Sequence, residues 1–214
     1  MIAFFDLDDT LCDRAAAFAR WAAGFCATHD LDAAVALPFI NETDERGTRP
    51  RTDFFHKVAD RFDLATPVDE LVAAYHPAYT ALYRLDPAVA DGIRELQNAG
   101  WTVGIVTNGK FWQRDKLRVT GLDSIVDGWA ISDLERVAKP YPEIFRRAAA
   151  NCGVTIDEAV WMVGDNPVAD IGGAVLTGLR SIWIDLGRDW PEPAFKPDVV
   201  CDGPLAAIEV IRNS

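Results

Sequence analysis

The chain opens on five apolar side chains, MIAFF, and turns acidic at Asp6. So short and unbroken a run predicts a buried strand over residues 2–6. From Asp13 the period lengthens. Phe18, Trp21, Ala22 and Phe25 recur at i, i+3, i+4 and i+7, one face of a helix. Residues 41–51, NETDERGTRPR, are polar and rich in breakers, which predicts a loop. A second helix is expected after Thr52, with Phe55, Val58, Ala59 and Phe62 on its apolar side. A third is expected from TPVDEL, with Thr66 as N-cap and Pro67 in the first turn. Residues 13–84 therefore read as helical throughout.

Past that point strands and helices alternate. Asp86-Pro87 reads as a cap and first-turn proline, Val89, Ile93 and Leu96 as the buried stripe, and Gly100 as a stop. WTVGIVTNG predicts a strand running into a loop, KPYPEIFRRAAANCG a helix between Pro142 and Gly153, and AVWMVGDN another strand. ADIGGAVLTG predicts a helix, RSIWIDL a strand, and residues 204–212 a closing helix. Such alternation implies βαβ units and a parallel sheet. The expected fold is α/β: a doubly wound, Rossmann-like core of residues 1–12 and 85–214, with a helical domain of residues 13–84 inserted after the first strand. Ligands of these sheets bind beyond the carboxyl ends of the strands. Four polar clusters fall there: DLDDT, TNG, Lys139-Pro140 and GDNPVAD.

Charge narrows the partners. A formal net charge of -12 repels nucleic-acid backbones and anionic lipid, so neither is expected. No stretch approaches the roughly 20 apolar residues of a membrane span. The opening run has no basic region before it, so a signal peptide is not expected. Cys12, Cys26, Cys152 and Cys201 are scattered without a CxxC pair, reading as free thiols of a cytoplasmic protein. A small anion is still compatible where a cation reverses the local sign.

Asp6, Asp8 and Asp9 repel one another, so their crowding needs a reason. DLDDT taken alone reads either as an acidic helix start or as a hard-cation site. Mg2+ takes a few carboxylates and keeps its other positions for water and phosphate oxygens. Asp165 follows a strand directly, and Asp170 lies near the next helix start, as a metal partner or as helix charge compensation. Thr107 offers a hydroxyl, and the N–H groups of Asn108 and Gly109 can point at an anion. An isolated lysine such as Lys139 ordinarily reads as a solvated loop residue. Together the clusters cover the needs of phosphate monoester transfer: a nucleophile, an acid, a divalent cation and fixed donors.

With these motifs the sequence resembles the haloacid dehalogenase (HAD) superfamily of phosphohydrolases. Asp6-Leu7-Asp8-Asp9-Thr10 matches its first motif, Thr107 in IVTNG its second, Lys139 in AKPYPEIF its third, and Asp165 and Asp170 in VGDNPVAD its fourth. The resemblance implies that Asp6 is the nucleophile and a Mg2+ ligand. It implies that Asp8 protonates the leaving group, activates water and binds the ion through its backbone carbonyl. It also implies that Thr107 and Lys139 hold the phosphoryl oxygens, that Asp165 ligates Mg2+, and that Asp170 orients that shell; Asp9 is a spectator. Residues 13–84 would be the helical cap. Dehalogenases of this superfamily lack a carboxylate at the position of Asp8, because halide leaves without a proton, so phosphate chemistry is favoured. Phosphonate cleavage in the family uses a cap lysine, and Lys57, in an ordinary amphipathic helix, does not fit that role.

The expected function is a Mg2+-dependent phosphatase for a small phosphorylated metabolite of the nucleotide or sugar phosphate class. A phosphomutase of the same fold and a non-catalytic binding module are the alternatives. Arg46, Arg49 and Arg51 read as a solvated loop rather than a contact for the substrate's remote end. His29, His56 and His76 have no ligand spacing, and Phe18, Trp21 and Phe25 read as core rather than a stacking platform. Nothing in the sequence sets the oligomeric state.

Overall fold

The computed structural model describes residues 1–156 and 159–214. Its contacts divide the chain into two compact units, Met1–Asp13 with Arg84–Ser214, and Arg14–Tyr83.

In chain order the elements are β1 (Ile2–Phe5), then α1 (Arg14–Thr28), α2 (Ala33–Asp44), α3 (Arg51–Phe62) and α4 (Val68–Thr80) of the helical unit. There follow α5 (Pro87–Asn98), β2 (Thr102–Thr107), α6 (Gln113–Thr120), β3 (Gly128–Ile131), α7 (Ser132–Glu135) and α8 (Pro142–Asn151). Next come β4 (Val160–Gly164), α9 (Gly173–Thr177), β5 (Arg180–Ile184), β6 (Val199–Cys201) and α10 (Pro204–Arg212). Among the described residues six parallel strands form one sheet, in the order β3-β2-β1-β4-β5-β6. The chain steps outward from β1 to β3, returns to the other side of β1, and steps outward again. β1 is thus a switch point, flanked by β2 and β4, where strand ends diverge and leave a crevice.

Burial on both faces explains the unbroken apolar strands. Ile2 and Phe4 of β1 pack with Val106, Met162 and the apolar faces of α8 and α9, including Ile144, Phe145, Ala148 and Ala174. The helices behave as their signals ask. Asp86 caps α5 by accepting from the Ala88 N–H at 2.9 Å, with Pro87 in the first turn. Gly100 and Gly153 take positive φ, +89° and +74°, just past the ends of α5 and α8. Gly128 has another reason: a Cβ there would meet the Asn151 carbonyl oxygen at 2.7 Å.

The helical unit is built on an aromatic core. Trp21 of α1 packs against Phe25, Phe54, Phe55 and Tyr75, and Tyr75 stacks on Tyr79 at 5.0 Å. The expected loop at 41–51 is a correction. Helix α2 continues through Asn41–Asp44, because Asp44 is buried and pairs with both Arg14 and Arg51. Arg51 is accordingly no solvated residue; its guanidinium lies 5.0 Å and 5.1 Å from the ring centres of Phe54 and Tyr75. Thr66 does not cap α4, whose N-cap position is Pro67. The expected helix over 169–178 is a wide π-helical turn, Pro167–Gly172, followed by α9. The four thiols are free, and Cys12, Cys26 and Cys201 are buried. Among the described residues no helix is long and apolar enough to cross a membrane.

Candidate active site

Three neighbouring strands supply the site. Asp6 follows β1 and donates its N–H to the Val163 carbonyl of β4 at 2.9 Å, which fixes its direction at the sheet edge. Lys139 reaches the same point from the loop before α8. Its Nζ lies 2.7 Å from Asp6 Oδ1, 2.6 Å from the Val106 carbonyl of β2 and 2.6 Å from Asp170 Oδ1. Only 5% of Lys139 is exposed, against the solvated loop residue that a lone lysine suggests. The backbone at Lys139 is pinned by Asn108: the Lys139 N–H donates to Asn108 Oδ1 at 2.9 Å, and Asn108 Nδ2 donates to the Lys139 carbonyl at 3.0 Å.

The turn after β4 brings the remaining acids. Asn166 caps it, accepting from the Val168 and Ala169 N–H groups, while its own N–H donates to Asp170 Oδ2 at 2.9 Å. Asp170 is fully buried. It fits because residue 164 is glycine: a Cβ there would lie 2.1 Å from Asp170 Oδ2. Asp165 is held from behind, since Arg188 donates to its carbonyl at 2.8 Å and lies 3.1 Å from its Oδ2. The indole N–H of Trp183 donates to the same carbonyl at 2.9 Å.

Asp6, Asp165 and Asp170 each bring an oxygen within 4.8 Å of the others. The Asp6 carboxyl is pushed up to about 7: burial raises it most, Lys139 pulls it down, and Asp170 and Asp8 add to the rise. Burial works against the Lys139 ammonium, yet Asp170 and Asp6 hold it above the usual lysine range. A cluster of largely buried hard oxygens in which one carboxylate raises its neighbour suits a divalent cation. Asp170, expected to orient the ligands, stands within the cluster itself.

The Asp8 carboxylate, expected to serve as acid while its backbone carbonyl binds the ion, is held by α6. Lys116 Nζ lies 2.9 Å from Oδ1 and 2.6 Å from Oδ2, and Gln113 Nε2 donates to Oδ2 at 3.0 Å. That amide also donates to Thr107 Oγ1 at 2.9 Å. Of the two N–H groups expected to face an anion, that of Gly109 is a correction: it donates to Ser132 Oγ at 2.9 Å. DLDDT does not start a helix, either. Asp9 has φ +57°, and its N–H donates to the Cys12 carbonyl at 2.8 Å, closing a tight loop ahead of α1. Sequence reasoning missed Gln113, Lys116 and Arg188. The signal for the first two was their i, i+3 spacing directly after TNG.

The family model described as haloacid dehalogenase-like hydrolase matches residues 1–177. The glyceraldehyde 3-phosphate phosphatase of Pyrococcus abyssi is 33% identical over 198 residues, covering 87% of this chain and 82% of that protein. The phosphoserine phosphatase of Thermus thermophilus is 37% identical over 118 residues, 55% of this chain and 47% of that protein. Among solved structures, a magnesium-bound HAD-hydrolase of Bacillus subtilis matches with a TM-score of 0.77. At 23% identity, over 100% of this chain and 98% of that one, the likeness is one of fold.

Proposed function

This chain belongs to the haloacid dehalogenase-like hydrolases, and on that premise we propose a cytoplasmic, Mg2+-dependent phosphatase of small phosphate monoesters that works through an aspartyl-phosphate on Asp6. One observation carries the reading: Lys139 bridges Asp6 and Asp170 at the sheet edge, with Asp165 beside them. The named relatives act on glyceraldehyde 3-phosphate and phosphoserine, both small monoesters. Four free thiols suit a reducing compartment.

Asp6, Asp165 and the Asp8 carbonyl would hold the ion, with Asp170 alongside. Mg2+, when bound, supplies the positive charge that offsets repulsion between the carboxylates and a phosphoryl group. Lys139 and Thr107 hold the phosphoryl oxygens, with the Asn108 N–H beside them. An Asp6 oxygen bonds to phosphorus as the ester P–O bond breaks. The electron pair stays on the leaving oxygen, which takes the proton carried by Asp8. Water then attacks phosphorus and passes a proton to Asp8, and the bond to Asp6 breaks, restoring both side chains. An oxygen leaving group needs that proton, whereas a halide does not. The helical unit, residues 14–83, we assign to substrate selection as the cap.

The test is a panel of phosphomonoesters assayed with and without Mg2+. Inorganic phosphate should appear only with the ion, and Asp6→Asn should lose about 10³-fold or more of kcat at undiminished melting temperature. Substantial turnover by Asp6→Asn removes the covalent route. Transfer of labelled phosphate between substrates without net release makes the protein a mutase instead.

A further inference from the structure

Helix α6 is short, and its three buried residues are Gln113, Lys116 and Leu117. Two of the three are polar, on a surface that would ordinarily bury carbon. Gln113 is 2% exposed and Lys116 5%. Residues three apart on a helix share a face, and here both side chains end on the Asp8 carboxylate. Lys116 spans its two oxygens at 2.9 Å and 2.6 Å. Gln113 Nε2 bonds at once to Asp8 Oδ2 and Thr107 Oγ1, at 3.0 Å and 2.9 Å. One amide thus ties Asp8 to the hydroxyl at the end of β2. The carboxylate is held towards the phosphoryl-binding loop rather than swung away from it.

The glycine of TNG belongs to the same device. A Cβ at residue 109 would meet Gln113 Cγ at 2.7 Å, so only a bare backbone lets Gln113 lie across the loop. The helix start is fixed as well: the Gln113 N–H donates to the Lys110 carbonyl, and Asp133 accepts from the Phe111 N–H at 3.2 Å. A buried ammonium is costly without an anion. Its place against Asp8 means that the fold holds this carboxylate in one orientation.

We propose that Gln113 and Lys116 are positioning residues for the leaving-group step, clamping Asp8 against Thr107 so that its carboxyl oxygen meets the departing oxygen. The proposal rests on the phosphatase reading above. It concerns the first half-reaction, in which the P–O bond breaks, its electron pair goes to the leaving oxygen, and the proton on Asp8 follows. A misplacement of about 1 Å at such a group costs on the order of 10²-fold. That loss must depend on the leaving group. An alkoxide cannot depart without a proton, whereas p-nitrophenolate can.

The experiment compares kcat/KM for an alkyl phosphate and for p-nitrophenyl phosphate, with Mg2+, in the native protein, Asp8→Asn, Lys116→Met, Lys116→Arg and Gln113→Leu. The ratio kcat/KM reports the first irreversible step, which contains leaving-group departure. Lys116→Met and Gln113→Leu should lose 10- to 100-fold on the alkyl ester and less than threefold on the aryl ester, following Asp8→Asn in pattern. Lys116→Arg should recover part of the loss. Equal losses on both esters, or none, in folded Lys116→Met and Gln113→Leu overturn the proposal while a selective Asp8→Asn leaves the phosphatase reading standing. An Asp8→Asn that itself fails to discriminate overturns the role of Asp8, and the clamp with it. Gln113→Leu keeps the side-chain volume and the Lys116 ion pair, so it serves where Lys116→Met does not fold.

Discussion

Lys139 illustrates how much a single buried charge organises. It pairs with both Asp6 and Asp170 and bonds to the Val106 carbonyl, joining the ends of β1 and β2 to the turn after β4. Lys139→Met removes the cation and leaves two buried carboxylates facing each other. Breaking a buried pair in this way should cost about 3–5 kcal/mol, read as a lowered urea midpoint at neutral pH. A midpoint unchanged within error would show that solvent or the backbone supplies the neutralisation. The acids stood out by their crowding at strand ends, although spacing alone left a helix start and a cation site both open. Lys139 was legible only through its family motif, since a lysine before proline carries no local sign of burial. Gln113 and Lys116 escaped for a sharper reason: hydrophobic periodicity marks helix faces by their apolar residues, and theirs is polar.

Elements show the same division. The central strands β1, β2, β4 and β5 announce themselves as apolar runs, whereas β3 and β6 sit at the sheet edges and are only partly buried. Helix α2 runs on into the polar stretch read as a loop, where its last turn gains ion pairs: NETD ends on Asp44, which is held by two arginines. Glycines separate into those that place the site and those that merely occupy a helix. At Gly164 a methyl group would strike Asp170, so Gly164→Ala should lose about 1–3 kcal/mol by overpacking and weaken Mg2+ binding in isothermal titration. At Gly24, exposed in α1, a methyl group meets nothing within 4 Å. Gly24→Ala should gain about 0.5–1 kcal/mol with Mg2+ affinity intact. Equal metal affinity in the two variants would count against Asp170 as part of the ion's surroundings.

At the scale of the molecule, the carboxylates of the candidate cation site all belong to the α/β unit. Ligand binding stabilises what it contacts, through linkage, and local stability is not uniform across a chain. Hydrogen exchange with millimolar Mg2+ should therefore show added protection in β1, β4 and the turn after β4, and little in the aromatic core around Trp21. Asp165→Asn should abolish the difference, and protection spread evenly over both units would show that they open as one. The α/β alternation could be read from the sequence, because it rests on a change of period. The sheet order depends on pairings between distant segments, which a pattern along the chain does not encode.

The helical segment leaves the α/β unit once, after Asp13, and rejoins it once, at Arg84, between β1 and α5. No strand pairing is interrupted by that detour. Two cut points would thus let a genetic exchange replace the whole segment while Asp6, Lys139, Asp165 and Asp170 keep their neighbours. If that segment chooses the substrate, as proposed, a lineage built on such a plan is free to acquire new molecular tastes by grafting, and to inherit its reaction intact.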